Sequence, residues 1–283
     1  MSTKIEWADM TINPVVGCSK CSPGCDNCYA ERFATRLAKN PATAQKYAVV
    51  IDEHGKWTGN FNVDLTPFAS LPKKSKRIFI GSMCDIFHEN ASYNWFLWIV
   101  HRMSQYPQHT FILLTKRPQR MNKFISLTRE TDTDCGLWPL PNLWIGVTVC
   151  NQAEADEKIP VLRVIPAAKR LVSVEPMIGP VEIGKYLYDT QYIDWVICGG
   201  ETGPGARPMH PDWVRSLRDQ CQQARVPFFF KSWGEWSADY TYDDAIRTLG
   251  AYVADTPFAR IGKKRAGRLL DGVEHNEFPE VTV

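Results

Sequence analysis

Residues 77–83 read Arg-Ile-Phe-Ile-Gly-Ser-Met, and five runs of the same kind follow. They are Thr110–Lys116 (TFILLTK), Leu143–Val149 (LWIGVTV), Arg170–Glu175 (RLVSVE), Asp194–Gly199 (DWVICG) and Val226–Trp233 (VPFFFKSW). Nearly all are continuous apolar runs rather than alternating ones, the mark of parallel strands buried on both faces. Their starts lie 33, 33, 27, 24 and 32 residues apart. That length holds one strand, one helix and two loops. Between them, Ser92 precedes Tyr93–Tyr106, with Phe96, Ile99 and Met103 on one face; Asn151 can cap Gln152–Ile165; Pro211 can open Asp212–Ala224, whose apolar face is Val214, Leu217 and Cys221. Repeated strand–helix units predict an α/β fold with a parallel sheet, open or curled into a partial (β/α) barrel. The stretch Asn13–Gly17 is a candidate first strand.

Two regions break the repeat. Residues 47–76 form an insertion with a polar hairpin candidate at Asp52–Gly55 and a Pro/Lys-rich connection. Residues 237–283 carry turn signals without a strand–helix pattern. The expected organisation is a 1–236 strand–helix domain and a 237–283 C-terminal extension covering it.

The whole chain of 283 residues is 44% hydrophobic and 23% charged, which excludes collagen-like, coiled-coil and wholly disordered classes. The net charge of +2 excludes binding driven by bulk basicity and leaves room for a local nucleic-acid groove. No apolar run approaches the ~20 residues that span a bilayer. Residues 1–7 lack the apolar stretch of a signal peptide. A cytoplasmic protein without a membrane partner is the expectation.

Cysteine is the unusual residue. There are nine, and Cys18, Cys21, Cys25 and Cys28 fall within 11 residues on a Gly/Pro-rich loop. In a reducing compartment such clustering points to metal rather than disulfides. Cys21, Cys25 and Cys28 are spaced C-x3-C-x2-C; Cys18, Cys25 and Cys28 are spaced C-x6-C-x2-C. Several thiolates on one loop can wrap a soft-metal centre, and three-cysteine ligation of a four-iron cluster leaves one iron open. The competing readings are a structural zinc knuckle using all four thiols, and incidental thiols.

Polar residues gather where the apolar runs stop, and a parallel sheet would set them on one rim, where α/β enzymes build their sites. Ser82 and Asp85 are candidates for a cofactor amine, with helix capping the plainer role for Asp85. Lys116, Arg117 and Arg120 can hold phosphate or carboxylate, or form a solvated helix start. Thr148, Asn151 and Ser173 end strands beside the same rim. Glu175 ends an apolar strand, and Lys231 follows Phe228-Phe229-Phe230, so its charge must be paired or meet ligand. These two are the catalytic candidates. Gly199, Gly200 and Glu201 open a glycine-rich segment that lets backbone approach a ligand such as adenosine, or makes a tight turn; Arg207 closes it.

The C-x3-C-x2-C spacing ahead of strand–helix units resembles the loop of radical S-adenosylmethionine (SAM) enzymes. More closely, Asn13-Pro-Val-Val-Gly-Cys18, Ser22-Pro-Gly-Cys-Asp-Asn-Cys-Tyr-Ala-Glu31, Phe87-His-Glu89, Leu114-Thr-Lys-Arg117, Gly199-Gly-Glu-Thr-Gly-Pro-Gly-Ala-Arg-Pro208 and Phe229-Phe-Lys231 look like a phage-associated family of unknown function with a three-cysteine, radical-SAM-like motif. The likeness runs from about Lys4 to Pro279. It implies a radical-SAM-like partial barrel, a [4Fe-4S] cluster, SAM, and an electron donor such as flavodoxin or ferredoxin. The family's cysteines match Cys18, Cys25 and Cys28, whereas the general radical SAM spacing makes Cys21 the alternative third ligand. Typical radical SAM enzymes place a Gly-Gly-Glu after the second strand, at the SAM amine. Here it follows a much later strand, so that role is not carried to Glu201, and Ser82 and Asp85 occupy the corresponding place.

The resemblance also implies a substrate class. Phage radical SAM proteins resemble enzymes that remodel DNA bases, including isomerisation of an amino-acid-bearing thymidine in hypermodified DNA. Arg117, Arg120, Arg207 and Lys231 would clamp carboxylate and phosphate, and Lys73–Arg77 would meet DNA backbone. Pyrimidine-lesion repair by radical chemistry and a zinc-stabilised nucleic-acid-binding module are the alternatives.

Overall fold

A computed structural model describes residues 3, 5–131, 138–188, 193–237 and 258–280. Cys135 and residues 238–257 and 281–283 of the extension lie outside them. The architecture is mixed α/β. In chain order the strands are β1 (Met10–Ile12), β2 (Val15–Val16), β3 (Asn62–Val63), β4 (Arg77–Ile80), β5 (Thr110–Thr115), β6 (Leu143–Val149), β7 (Lys169–Val174), β8 (Trp195–Gly199), β9 (Phe228–Ser232), β10 (Trp236–Ser237) and β11 (Ala259–Arg260). The helices are α1 (Tyr29–Ala38), α2 (Ala44–Tyr47), α3 (Tyr93–Ser104), α4 (Pro118–Thr131), α5 (Gln152–Val164), α6 (Gly184–Leu187) and α7 (Pro211–Ala224), with one further turn at Lys263–Ala266. Seven strands share one sheet in the order β1-β4-β5-β6-β7-β8-β9, and its β1–β4, β4–β5, β5–β6 and β8–β9 pairs are parallel. Every residue of β6 and β8 is buried, as their unbroken apolar runs require.

The candidate first strand is corrected. Met10–Ile12 takes the place beside β4, in register Met10↔Ile78, while Val15–Val16 leaves the sheet and pairs antiparallel with Asn62–Val63. Pro14 lies between them and has no N–H to give a ladder. The run at Arg77–Met83 is likewise cut at Ile80, because Gly81 turns away with φ of +81°.

Two compact units divide the chain: Met1–Thr148 with Lys158–Leu171, and Val149–Glu157 with Val172–Val283. In the first, Phe87 and Phe96 meet at 5.3 Å, and Phe124 touches both at 5.8 Å. In the second, Trp195 packs on Phe229 and Phe278. Burying such a ring contributes about 1.5–3 kcal/mol. The hairpin candidate at Asp52–Gly55 is a single antiparallel bridge, Ile51↔Trp57, closed by Asp52 N–H to the Lys56 carbonyl. Among the described residues no helix is long and apolar enough to cross a membrane.

Candidate functional site

The cysteine loop follows the C-terminal end of β1, and its backbone is fixed by segments far away in sequence. Gly17 donates its N–H to the Met83 carbonyl and bridges Cys84 just past the end of β4. It has φ of +120°, and a Cβ there would collide with the Asn60 carbonyl. The Cys18 carbonyl accepts from Gly59 N–H, so the 47–76 insertion forms a wall of the loop. Ser22 caps a short 3-10 turn, Pro23–Cys25, and Cys28 begins α1.

The thiols are neighbours. The Cys21 S–H bonds to Cys25, which raises the Cys21 thiol and draws the Cys25 thiol down to about 5; burial opposes that fall and the Lys116 ammonium aids it. Burial pushes the Cys18 thiol up to about 12, with Asp85, Cys28 and Cys25 adding to the rise. Cys18 therefore lies within electrostatic reach of both Cys25 and Cys28. Burial and Cys18 also raise Cys84, a thiol whose sequence position gave no hint of this neighbourhood. Among the described residues no three His, Cys, Asp or Glu side chains are gathered closely enough to hold a metal ion. The four loop thiols supply the right donor chemistry for a soft metal without forming a closed ligand set.

Beside the loop stands a polar network. Asp85 Oδ1 accepts from the Thr115 hydroxyl at 2.7 Å and Phe87 N–H at 3.0 Å; Oδ2 accepts from Lys116 N–H at 3.1 Å and Arg117 Nη1 at 3.2 Å. Four donors fill a carboxylate. Arg117 Nε reaches both Glu89 oxygens at 2.9 Å, and Nη2 reaches the Ser19 carbonyl and hydroxyl at 3.3 Å. Arg117 is thus a buried brace between β5, Asp85 and the cysteine loop rather than part of a solvated helix start. Ser19 Oγ lies 2.6 Å from His88 Nε2. His88 Nδ1 accepts from Asn90 N–H, so the ring proton sits on Nε2 and is donated to Ser19. Burial first, and then Arg117, depress the His88 pKa, which favours this neutral ring.

Ser82 exchanges hydrogen bonds with Asn13, and its carbonyl accepts from the Tyr29 hydroxyl at 2.9 Å. Arg120 donates to the Ala91 carbonyl and lies over Phe124. Lys73–Arg77 stands apart from the cysteine loop. It leads into the N-terminal end of β4, where Arg77 meets Asp9, whereas the cysteine loop lies past the strand's C-terminal end.

In the second unit Glu175 pairs with Lys231, as a charge behind three buried phenylalanines requires. Gly199 lies against both side chains; a Cβ on it would sit 3.3 Å from Lys231 Cβ. Gly200 and Gly234 give close approach to protein backbone, since a Cβ on Gly200 would strike the Trp233 carbonyl and one on Gly234 the Glu201 carbonyl. Buried Glu201 clamps Arg207 through its N–H, Nε and Nη2 at 2.8, 2.9 and 2.7 Å. The Gly199–Arg207 segment is closed by its own ion pair. Asn151 accepts from Glu154 N–H at 3.0 Å, the cap its position in the sequence suggests. Ser173 is buried in β7, as is Thr148 in β6 of the first unit.

Sequence reasoning missed Ser19, Asn13, Tyr29 and Cys84. The one local signal was Gly17, a glycine directly before a cysteine. The rest are joined by contacts 53 to 98 residues apart.

The family described as "Protein of unknown function (DUF5131)" matches residues 2–279, and the chain belongs to that family. No curated protein and no solved structure matches it.

Proposed function

We propose that this DUF5131 chain is a radical SAM enzyme whose [4Fe-4S] cluster is held by Cys18, Cys25 and Cys28. The observation that supports this reading is the loop itself: four thiols past the C-terminal end of a parallel strand, with Cys18 in electrostatic reach of both Cys25 and Cys28. Cys18 is taken over Cys21 as third ligand on the likeness of Asn13–Cys18 to the three-cysteine motif. Cys21 then remains as a hydrogen-bond donor to the Cys25 sulfur. When bound, cluster and SAM would supply a deoxyadenosyl radical able to take hydrogen from an unactivated carbon.

The chain's own residues do the rest. Lys116 offsets the negative charge of the thiolates. Arg117 ties the loop to Asp85, so the thiols are presented on a rigid brace. Asp85 is already saturated by four donors, which leaves Ser82 as the better partner for the SAM amine. Glu175 and Lys231, paired with each other on the second unit, are the side chains assigned to act on the substrate. The substrate we assign is a hypermodified thymine in phage DNA carrying an amino acid, isomerised at the carbon that loses hydrogen; repair of a pyrimidine lesion is the alternative outcome.

The test uses protein purified without oxygen. About four irons and matching sulfide, and deoxyadenosine on adding dithionite and SAM, are expected. Cys18→Ala should lose the iron, and Cys21→Ala should keep it. Zinc without iron, and intact SAM, would replace this reading with a zinc-stabilised module. Modified phage DNA left unchanged by active enzyme would reject the thymidine assignment, and mass spectrometry of the product separates isomerisation from repair.

A further inference from the structure

Helix α1 begins directly after Cys28 and turns an unusual face outward. Tyr29 and Phe33, four residues apart, are 46% and 42% exposed. Arg32, Arg36 and Lys39 are exposed on the same side. At ~1.5 Å rise per residue, rings and cations alternate along roughly 15 Å of surface. The helix has one carboxylate, Glu31, and it points the other way: it is buried, accepts Trp57 N–H, and lies 3.6 Å from both Lys20 and Lys56.

Single exposed aromatics are ordinary on protein surfaces. These two differ in being held. The Tyr29 hydroxyl is fixed to the Ser82 carbonyl at 2.9 Å, beside the end of β4. The Arg36 guanidinium lies over the Phe33 ring, with its centre 4.6 Å from the ring centroid. Rings fixed in advance lose little freedom when something stacks on them.

We propose that this face of α1, formed by Tyr29, Arg32, Phe33, Arg36 and Lys39, is a docking strip for single-stranded nucleic acid. Bases stack on the two rings, and phosphates lie against the three cations. The alternation of flat apolar face and cation matches the alternation of base and phosphate along a strand, and no carboxylate on the strip repels it. Duplex DNA would satisfy the cations alone, because its bases are not free to stack. The strip ends at Cys28, so a bound strand is delivered to the cysteine loop. Its purpose rests on the reading of that loop as the reaction centre, whereas the binding stands apart from it.

The test is fluorescence anisotropy of a labelled oligothymidylate with the anaerobically purified full chain. Single strands should bind more tightly than the matching duplex, with log Kd rising with log salt at a slope of about 2, roughly 0.7 for each of three phosphate contacts. Phe33→Ala should weaken binding by about fivefold to a hundredfold. Arg36→Glu should weaken it further and reduce the salt slope. Both positions are exposed, and unchanged circular dichroism and iron content would show the fold intact. Equal affinity for duplex, or indifference to both substitutions, would overturn the strip. So would a surface that binds reduced flavodoxin and not the oligonucleotide, since that marks a protein dock. Oligonucleotide binding without deoxyadenosine formation would leave the strip standing and reject the radical SAM reading, so the two fail separately.

Discussion

Asp85 makes four hydrogen bonds with two oxygens and keeps Arg117 neutralised in a buried position. Removing it takes the buried one of two carboxylates from a buried guanidinium and leaves the donors of Thr115, Phe87 and Lys116 without their acceptor. Asp85→Ala should therefore cost about 3–5 kcal/mol, read as a fall in the urea midpoint. The double variant Asp85→Ala with Arg117→Met should recover much of that loss, because no buried charge is left unpaired. Exposed Glu89 shares the arginine and keeps its hold on Nε at 2.9 Å. At this scale the sequence marked the polar residues at strand ends and not whom they meet. An acid or a cation at a strand end is conspicuous in an apolar chain. Its partner is chosen by topology: Arg117 reaches Ser19 across 98 residues, and Lys231 reaches Glu175 across 56.

Helix α5 shows how an element records its own start. Asn151 accepts from Glu154 N–H, and Glu154 in turn accepts from Cys150 N–H at 2.9 Å. Asn151→Ala should cost about 1 kcal/mol, measured by thermal or urea unfolding; Asn151→Asp should leave stability nearly unchanged. Elements of this kind were legible: β6 matches its apolar run end to end, and α3 and α7 begin where Ser92 and Pro211 stand. Helix α1 was not, because its cap is Cys28, which makes no side-chain capping bond and reads as a metal ligand. The same local view failed at Asn13–Gly17. Apolar content there promised a sheet strand, and Pro14 diverted it to a two-residue ribbon with the insertion.

Across the second unit, the end of the chain is fastened back onto the sheet. Phe230 N–H donates to the His275 carbonyl, Phe229 bridges Asn276, and the Trp195 indole donates to the Glu277 carbonyl. Asp271 anchors this return by pairing with Arg215 and Arg218 of α7, each at 2.8 Å. Those arginines hold its carboxyl below the usual range. A depressed folded pKa gives stability that is present above the unfolded value of about 3.9 and lost as pH falls through the folded value. Asp271→Asn should therefore flatten the acid limb of the stability profile below about pH 4, measured by urea midpoints at successive pH values. Asn tolerates the left-handed backbone, φ of +52°, that Asp271 adopts. The frame of the cysteine loop carries a consequence in time. A ribosome releases Cys28 long before Gly59 and Met83, whose backbones hold Cys18 and Gly17. During that interval the four thiols are an unframed tail. On the proposed reading of the loop, faithful cluster loading waits until the chain has emerged past Cys84, and a strain that translates slowly through residues 28–84 should accumulate more mismetallated protein.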